Sequence, residues 1–266
     1  MLVSEYPSQF TLSSAANSYL ARDDAWLIQF ISILTLTRRQ GYVNTGDIGE
    51  IVSHIILLRA MQETMKKTRP NTGANSDPNS LTMPFGHSVP LVDFLETLTG
   101  MTRDKLDFGP IDDENKTKLL DEGQLFWNHF VSIDFTPTSA DLLQQLYRGA
   151  AVQYKPYQKE FDPLFTIYLK SEQDDTLEEN RITMCGVQVQ NWKQTYKLDA
   201  EPRHSTPSNA GINLKQRNPY LVLSFSLSDS KSHPKTLQGD KTWPQVSPPA
   251  LLPPQSESTT TPKRAL

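Results

Sequence analysis

The chain of 266 residues has a single cysteine, Cys185, so an intrachain disulfide framework is excluded. One unpaired thiol suits a reducing compartment. Its place on the apolar side of a strand-like run reads as a buried, inert side chain rather than a nucleophile. Long apolar runs are also missing. The longest, Leu27–Leu36, is broken by Gln29, Ser32 and Thr35 and falls short of the roughly 20 residues a spanning helix needs. The N-terminus, MLVSEYPSQF, lacks the basic region and apolar core of a signal peptide. A soluble protein of the cytoplasm or nucleus, without a membrane partner, is the expectation. Charge of one sign is scarce as well: the formal net charge is −4, which argues against a broad DNA-coating surface but leaves a local basic patch open. The glycines form no phosphate-cradling loop, and no repeat of solenoid or propeller period is present.

What is present is one domain's worth of apolar pattern. Residues 1–22 read as a flexible N-terminus with a short helix near its end, and 23–228 as one domain. Residues 229–266, rich in Pro, Ser and Thr, read as a disordered tail. Asp23–Arg39 is predicted helical, with Arg38 and Arg39 in its last turn and Gly41 after it. Asp47-Ile-Gly-Glu50 has capping-box spacing ahead of a helix from Ile48 to Met65. That helix carries apolar residues on two sides, Ile48, Val52 and Ile55 against Glu50, His54, Leu57 and Met61, which predicts a largely buried element. Glu50 then either caps the first turn or, being buried, needs a partner, a proton or a cation.

Residues 69–86 read as a flexible loop inside an inserted helical segment. Ser88 is predicted to cap a helix ending at Gly100, and Pro110–Glu122 is a polar stretch. Leu125–Phe135 gives a mixed strand signal, and Thr138-Ser-Ala-Asp141 caps a helix through Tyr147. Three strands follow, at Arg148–Tyr154, Asp162–Leu169 and Ile182–Asn191, and a last one at Tyr220–Leu227. The period of two puts Gln188 and Gln190 on one face of the third strand, with Cys185, Val187 and Val189 on the other. Asp162 stands at the entrance of the second, opposite in parity to Phe165, Ile167 and Leu169.

A buried acid-bearing helix, an insertion, three strands, a crossover and a fourth strand resemble the αβββαβ core of the restriction-endonuclease-like fold. The ordered set is Gly49-Glu50-Ile-Val, His87-Ser-Val-Pro-Leu-Val-Asp-Phe-Leu, Phe126-Trp-Asn-His-Phe-Val, Arg148-Gly-Ala-Ala-Val, Asp162, Val187-Gln-Val-Gln-Asn and Pro219-Tyr-Leu-Val-Leu. It is similar to fungal proteins of the PD-(D/E)xK superfamily that resemble the nuclease-like domain of Crinkler-type effectors. The similarity covers about residues 23–228, and its weight lies in the order of the motifs.

That resemblance implies an α/β fold and Mg²⁺-dependent phosphodiester hydrolysis on nucleic acid. Asp162 takes the metal-ligand position and Glu50 the helix acid, with Gln188 at the Glu/Gln position and Gln190 at the lysine position. Three of the four can offer oxygen to a hard cation. Gln190 supplies no positive charge, and losing one preorganised electrostatic group commonly costs ~10²–10³ in rate. Lys170 and Lys193 are the nearest replacements, both of the wrong parity, and the motif's Pro-Asp order is reversed as Asp162-Pro163. Three readings follow: a catalytically impaired nuclease-like domain retaining nucleic-acid or metal binding, a protein-interaction module on the same scaffold, and an active Mg²⁺-dependent nuclease with a displaced lysine.

Other candidates carry less. Glu50 and His54 have metal-pair spacing on a helix, but no second His or Cys cluster accompanies them. His87, His129, His204 and His233 form no ligand spacing. Asp112-Asp-Glu-Asn and Glu172-Gln-Asp-Asp lack the register of a calcium loop and read as solvated loops. Arg148 suits either phosphate or its own helix end. Lys263-Arg264 is too short for a nuclear localisation signal.

Overall fold

The computed structural model describes residues 8–20, 24–69, 86–109, 111–154, 161–171, 176–190 and 206–226. The expected disorder of 229–266, most of the 69–86 loop, Lys193 and Glu172-Gln-Asp-Asp lie outside the described residues. Among the described residues seven strands form one mixed open sheet: β1 (Val89–Pro90), β2 (Gly123–Leu125), β3 (His129–Ile133), β4 (Ala150–Tyr154), β5 (Pro163–Leu169), β6 (Ile182–Gln190) and β7 (Leu221–Ser226). Among the described residues six α-helices accompany it: α1 (Gln9–Leu20), α2 (Asp24–Arg39), α3 (Thr45–Lys67), α4 (Leu91–Thr99), α5 (Asp113–Glu122) and α6 (Ser139–Arg148). Among the described residues no helix is long and apolar enough to cross a membrane.

β5 is the centre of the sheet, and every one of its residues is buried. β6 runs antiparallel along one edge. Along the other, β4 pairs with its start and β2 with its end, both antiparallel. β3 lies parallel to β4, and β7 parallel to β6. Burial on both faces explains why PLFTIYL reads as a nearly continuous apolar run. Phe165, Ile167 and Leu169 enter one core with Leu57 and Met61 of α3, Phe94 of α4 and Trp127. Leu164 and Tyr168 enter a second core with Leu142 and Leu146 of α6. Phe94, Trp127 and Phe165 cluster with ring centroids 5.4–6.1 Å apart, the favourable range for aromatic contacts. The chain is thus a layered α/β structure with helices on both faces of the sheet.

Local chemistry sets the helix ends. α6 starts at Thr138 with the predicted reciprocal capping box to Asp141 and stops at Gly149, whose φ of 63° is left-handed. The strand expected from Arg148 accordingly begins at Ala150, with Arg148 inside the helix. α3 is capped by Asn44, whose side chain accepts from the Asp47 N–H, so the box expected from Asp47 to Glu50 does not form. Asn44 wins because it stands one turn earlier, and Glu50 moves to the second turn. Ser88 does not cap α4 either: Val89–Pro90 pairs with β2 and the helix opens after Pro90. Asp112-Asp-Glu-Asn, expected as loop, starts α5, with Asp112 accepting from the Asn115 N–H. There a cap and an acidic first turn outweigh low apolar content.

Candidate functional site

The carboxyl ends of β3, β4, β6 and β7 lie along one edge of the sheet, and antiparallel β5 begins there. Such an edge is where open α/β sheets present ligand-binding groups. Asp162 immediately precedes β5 and is tied at three points. Its N–H donates to the Val187 carbonyl (2.8 Å), its carbonyl accepts from the Tyr154 N–H (3.1 Å), and its Oδ2 accepts from the Val189 N–H (2.7 Å). The carboxylate thus stands in for a backbone acceptor where the β5–β6 ladder ends.

Phe161 fixes the same corner from the other side. A Cβ at Gly186 of β6 would lie 2.4 Å from the Phe161 ring, so the ring rests directly on the glycine backbone and Phe161 is buried. The absence of a side chain at 186 is a packing requirement, one residue from the group it positions.

Glu50 reaches the corner from α3. The face of α3 that carries Leu57, Met61 and Met65 is fully buried, and Glu50 lies half-buried two turns before Leu57. Its Oε2 accepts from Gln153 Nε2 at 3.4 Å. Gln153 is opposite Pro163 in register, on the β4 face shared with Ala151 and the first core. No sequence argument singled out Gln153; its only signal was a polar residue inside the apolar run AAVQY. Both carboxyl groups are pushed above their ordinary range. For Glu50 burial acts first, then repulsion from Asp162 and Asp47, with the Gln153 bond opposing. For Asp162 burial raises the value and the Val189 bond partly offsets it. Two acids that repel one another and are partly desolvated are suited to a hard cation.

The glutamines are placed differently. Cys185 and Val187 face the first core, Ile182 and Met184 the second, so Gln188 stands on the second core's face, while Glu50 and Gln153 reach in from the first. Gln188 is level with Ser224, and Gln190, whose side chain lies outside the described residues, with Ser226 at the end of the ladder. The structure therefore gathers Glu50, Asp162 and Gln153, and sets Gln188 across the sheet from Glu50. Lys170 follows the far end of β5, donating its N–H to the Glu122 carbonyl. At ~3.3 Å per residue it stands roughly 26 Å from Asp162, too far to serve it.

Among the described residues no group of three or more His, Cys, Asp or Glu could hold a metal ion. His54, one turn beyond Glu50, stacks on Phe130 at 4.1 Å between ring centroids. His129 bonds through Nδ1 to Asn128 Oδ1 (2.7 Å), and Asn128 also donates to Ser14 Oγ (2.7 Å), so both histidines serve packing. Cys185 is fully buried and its thiol is pushed well above the ordinary range by burial. Two cavities lie at the other end of the sheet: one of about 320 Å³ between Lys118, Arg181 and Asn218, and one of about 760 Å³ between Phe108 and Tyr220. No family model, no curated protein and no solved structure matches the chain.

Proposed function

We propose that the chain is a degenerate nuclease-like domain of the PD-(D/E)xK type, which keeps a weak divalent-cation position at Glu50 and Asp162 and has lost efficient cleavage. The observation that carries this reading is the approach of the helix acid to the strand acid at one sheet edge, where Asp162 repels Glu50 and Gln153 of β4 bonds to it. Three successive antiparallel strands, β4 to β6, and a β7 returning parallel to β6 support the αβββαβ resemblance.

The donor set suits Mg²⁺ or Mn²⁺, which bind through one or two carboxylates and retain water. Glu50 and Asp162 would hold the ion, which when bound supplies a Lewis acid for phosphate oxygens. Asp162 has one oxygen committed to the Val189 N–H, so its other oxygen is the donor. Gln153 orients Glu50. Gln190 at the lysine position offers no charge to balance the transition state, and Lys170 cannot replace it. Those losses make the site a binder before a catalyst.

The test is cleavage of labelled single- and double-stranded DNA and RNA with Mg²⁺ or Mn²⁺, by wild type, Asp162→Ala and Gln190→Lys. Silence from wild type with metal-dependent cleavage by Gln190→Lys is the expected result. Wild-type cleavage abolished by Asp162→Ala would overturn the impaired reading. Silence from all three, in folded protein, would overturn the nuclease-like reading itself. A protein-interaction module on the same scaffold is the second reading. It is favoured by a separate observation, the exposure of large apolar side chains along α2.

A further inference from the structure

α2 is apolar on more faces than its neighbours cover. Leu27, Ile31 and Leu34 form the half-buried stripe toward the rest of the molecule. Trp26, Ile28, Phe30, Ile33 and Leu36 stand exposed on either side of it, 45–64% accessible, and Tyr42 just beyond is 80% accessible. Residues 25–37 include no charged side chain. The hydroxyls of this helix do not need water: Ser32 donates to the Ile28 carbonyl, Thr35 to Ile31 and Thr37 to Ile33, each at 2.8 Å. A helix apolar nearly all round, with its hydroxyls turned back on its own backbone, is built for a desolvated setting.

We propose that α2 pairs antiparallel with α2 of a second copy of this chain, as the centre of a two-fold symmetric dimer. The charge pattern selects this occupant. The helix sequence opens on Asp24 and closes on Arg38 and Arg39, so a two-fold axis at its middle brings each acidic end beside the second copy's basic end. Self-complementarity of this kind is what an isologous interface requires. Centred there, Phe30 meets the second copy's Ile33, and Trp26 its Thr37, along a 16-residue helix about 24 Å long. A membrane surface is a poorer fit: an interfacial helix needs a cationic polar face, and residues 25–37 offer none. The proposal is independent of the carboxylate pair.

Mass measurement by light scattering and sedimentation over ~1–200 μM tests it. The full chain is expected to reach twice the monomer mass as concentration rises. Phe30→Glu with Ile33→Glu should stay monomeric with an unchanged far-UV spectrum, because both positions lie outside the cores. Arg38→Glu with Arg39→Glu should weaken association at least several-fold, and adding Asp24→Arg to that pair should restore it. Cross-linking supplies a readout that does not depend on disruption. Cys185 is buried, so Phe30→Cys mixed with Ile33→Cys should give a mixed disulfide in preference to either self-pair. A wild type that stays monomeric throughout, a dimer untouched by Phe30→Glu with Ile33→Glu, or monomers that bind vesicles of phosphatidylcholine and phosphatidylserine through α2 would each overturn the proposal.

Discussion

His54 offers a sharp test of the packing described for α3. Its ring stacks on Phe130, its Nε2 has no hydrogen-bond partner among the described residues, and burial lowers its pKa from 6.5 to about 4. A histidine that is neutral in the fold but free to protonate when unfolded favours the unfolded chain as pH falls. Its stabilising effect is complete above pH 6.5 and is lost as pH drops from 6.5 toward 4. For those two values the linkage relation gives a loss of about 2 kcal/mol between pH 7.5 and pH 5. His54→Leu removes the titration and an unpartnered buried nitrogen while keeping an apolar contact for Phe130. At pH 7.5 the variant should therefore lie within ~1 kcal/mol of wild type. At pH 5 it should be more stable than wild type by about 2 kcal/mol more than at pH 7.5. With a urea slope of ~2 kcal/mol/M, that gap is roughly 1 M in midpoint. Urea unfolding of both proteins at pH 7.5, 6 and 5 measures it. Subtracting one from the other cancels the groups common to both proteins, among them the raised carboxyls Glu50 and Asp162, whose dependence has the opposite sign. Parallel curves across the three pH values would refute the burial of a neutral His54.

Four further outcomes follow from the corner around Asp162 and from the thiol. Gly186→Ala forces the Phe161 ring aside and should cost ~1–3 kcal/mol; it should also reduce any Mn²⁺-induced rise in Tm, because Asp162 moves with Phe161. Asp162→Ala leaves the Val189 N–H without its acceptor, a loss of ~1–3 kcal/mol, and should bring the Glu50 titration down toward the ordinary carboxylate range by NMR. Glu50 and Asp162 have raised pKa values, so their charged forms oppose folding, and stability falls as pH rises through the raised values. Glu50→Gln should flatten that part of the stability–pH profile and remove divalent-cation stabilisation at neutral pH. Cys185 should resist aromatic disulfide reagents in native protein and react fully in urea, as its burial requires.

Much of the scaffold was legible because local rules and tertiary context agree there. The alternation in ITMCGVQVQ sends Cys185 and Val187 into the first core, and the Thr138–Asp141 box opens α6 as read. Where local signals competed, the reading slipped. Asn44 displaced Asp47 as a cap, and polar Asp113–Glu122 became helix because its cap and its two buried leucines, Leu119 and Leu120, suffice.

The sequence by itself determined α2, α3 and α6 and the strands β4 to β7 to within a few residues, the apolar alternation of β6 and β7, and that an acid stands at the start of β5. Side-chain period, capping groups and left-handed glycines act within a few residues, so they are written locally. Only the tertiary structure decided that Glu50 comes near Asp162 and bonds to Gln153, that Gln188 lies on the sheet face opposite the one Glu50 reaches, and that Lys170 is out of reach. It likewise set Phe161 on Gly186 and left the flanks of α2 uncovered. Those relations join residues far apart in sequence, and depend on sheet register and on which helix covers which face.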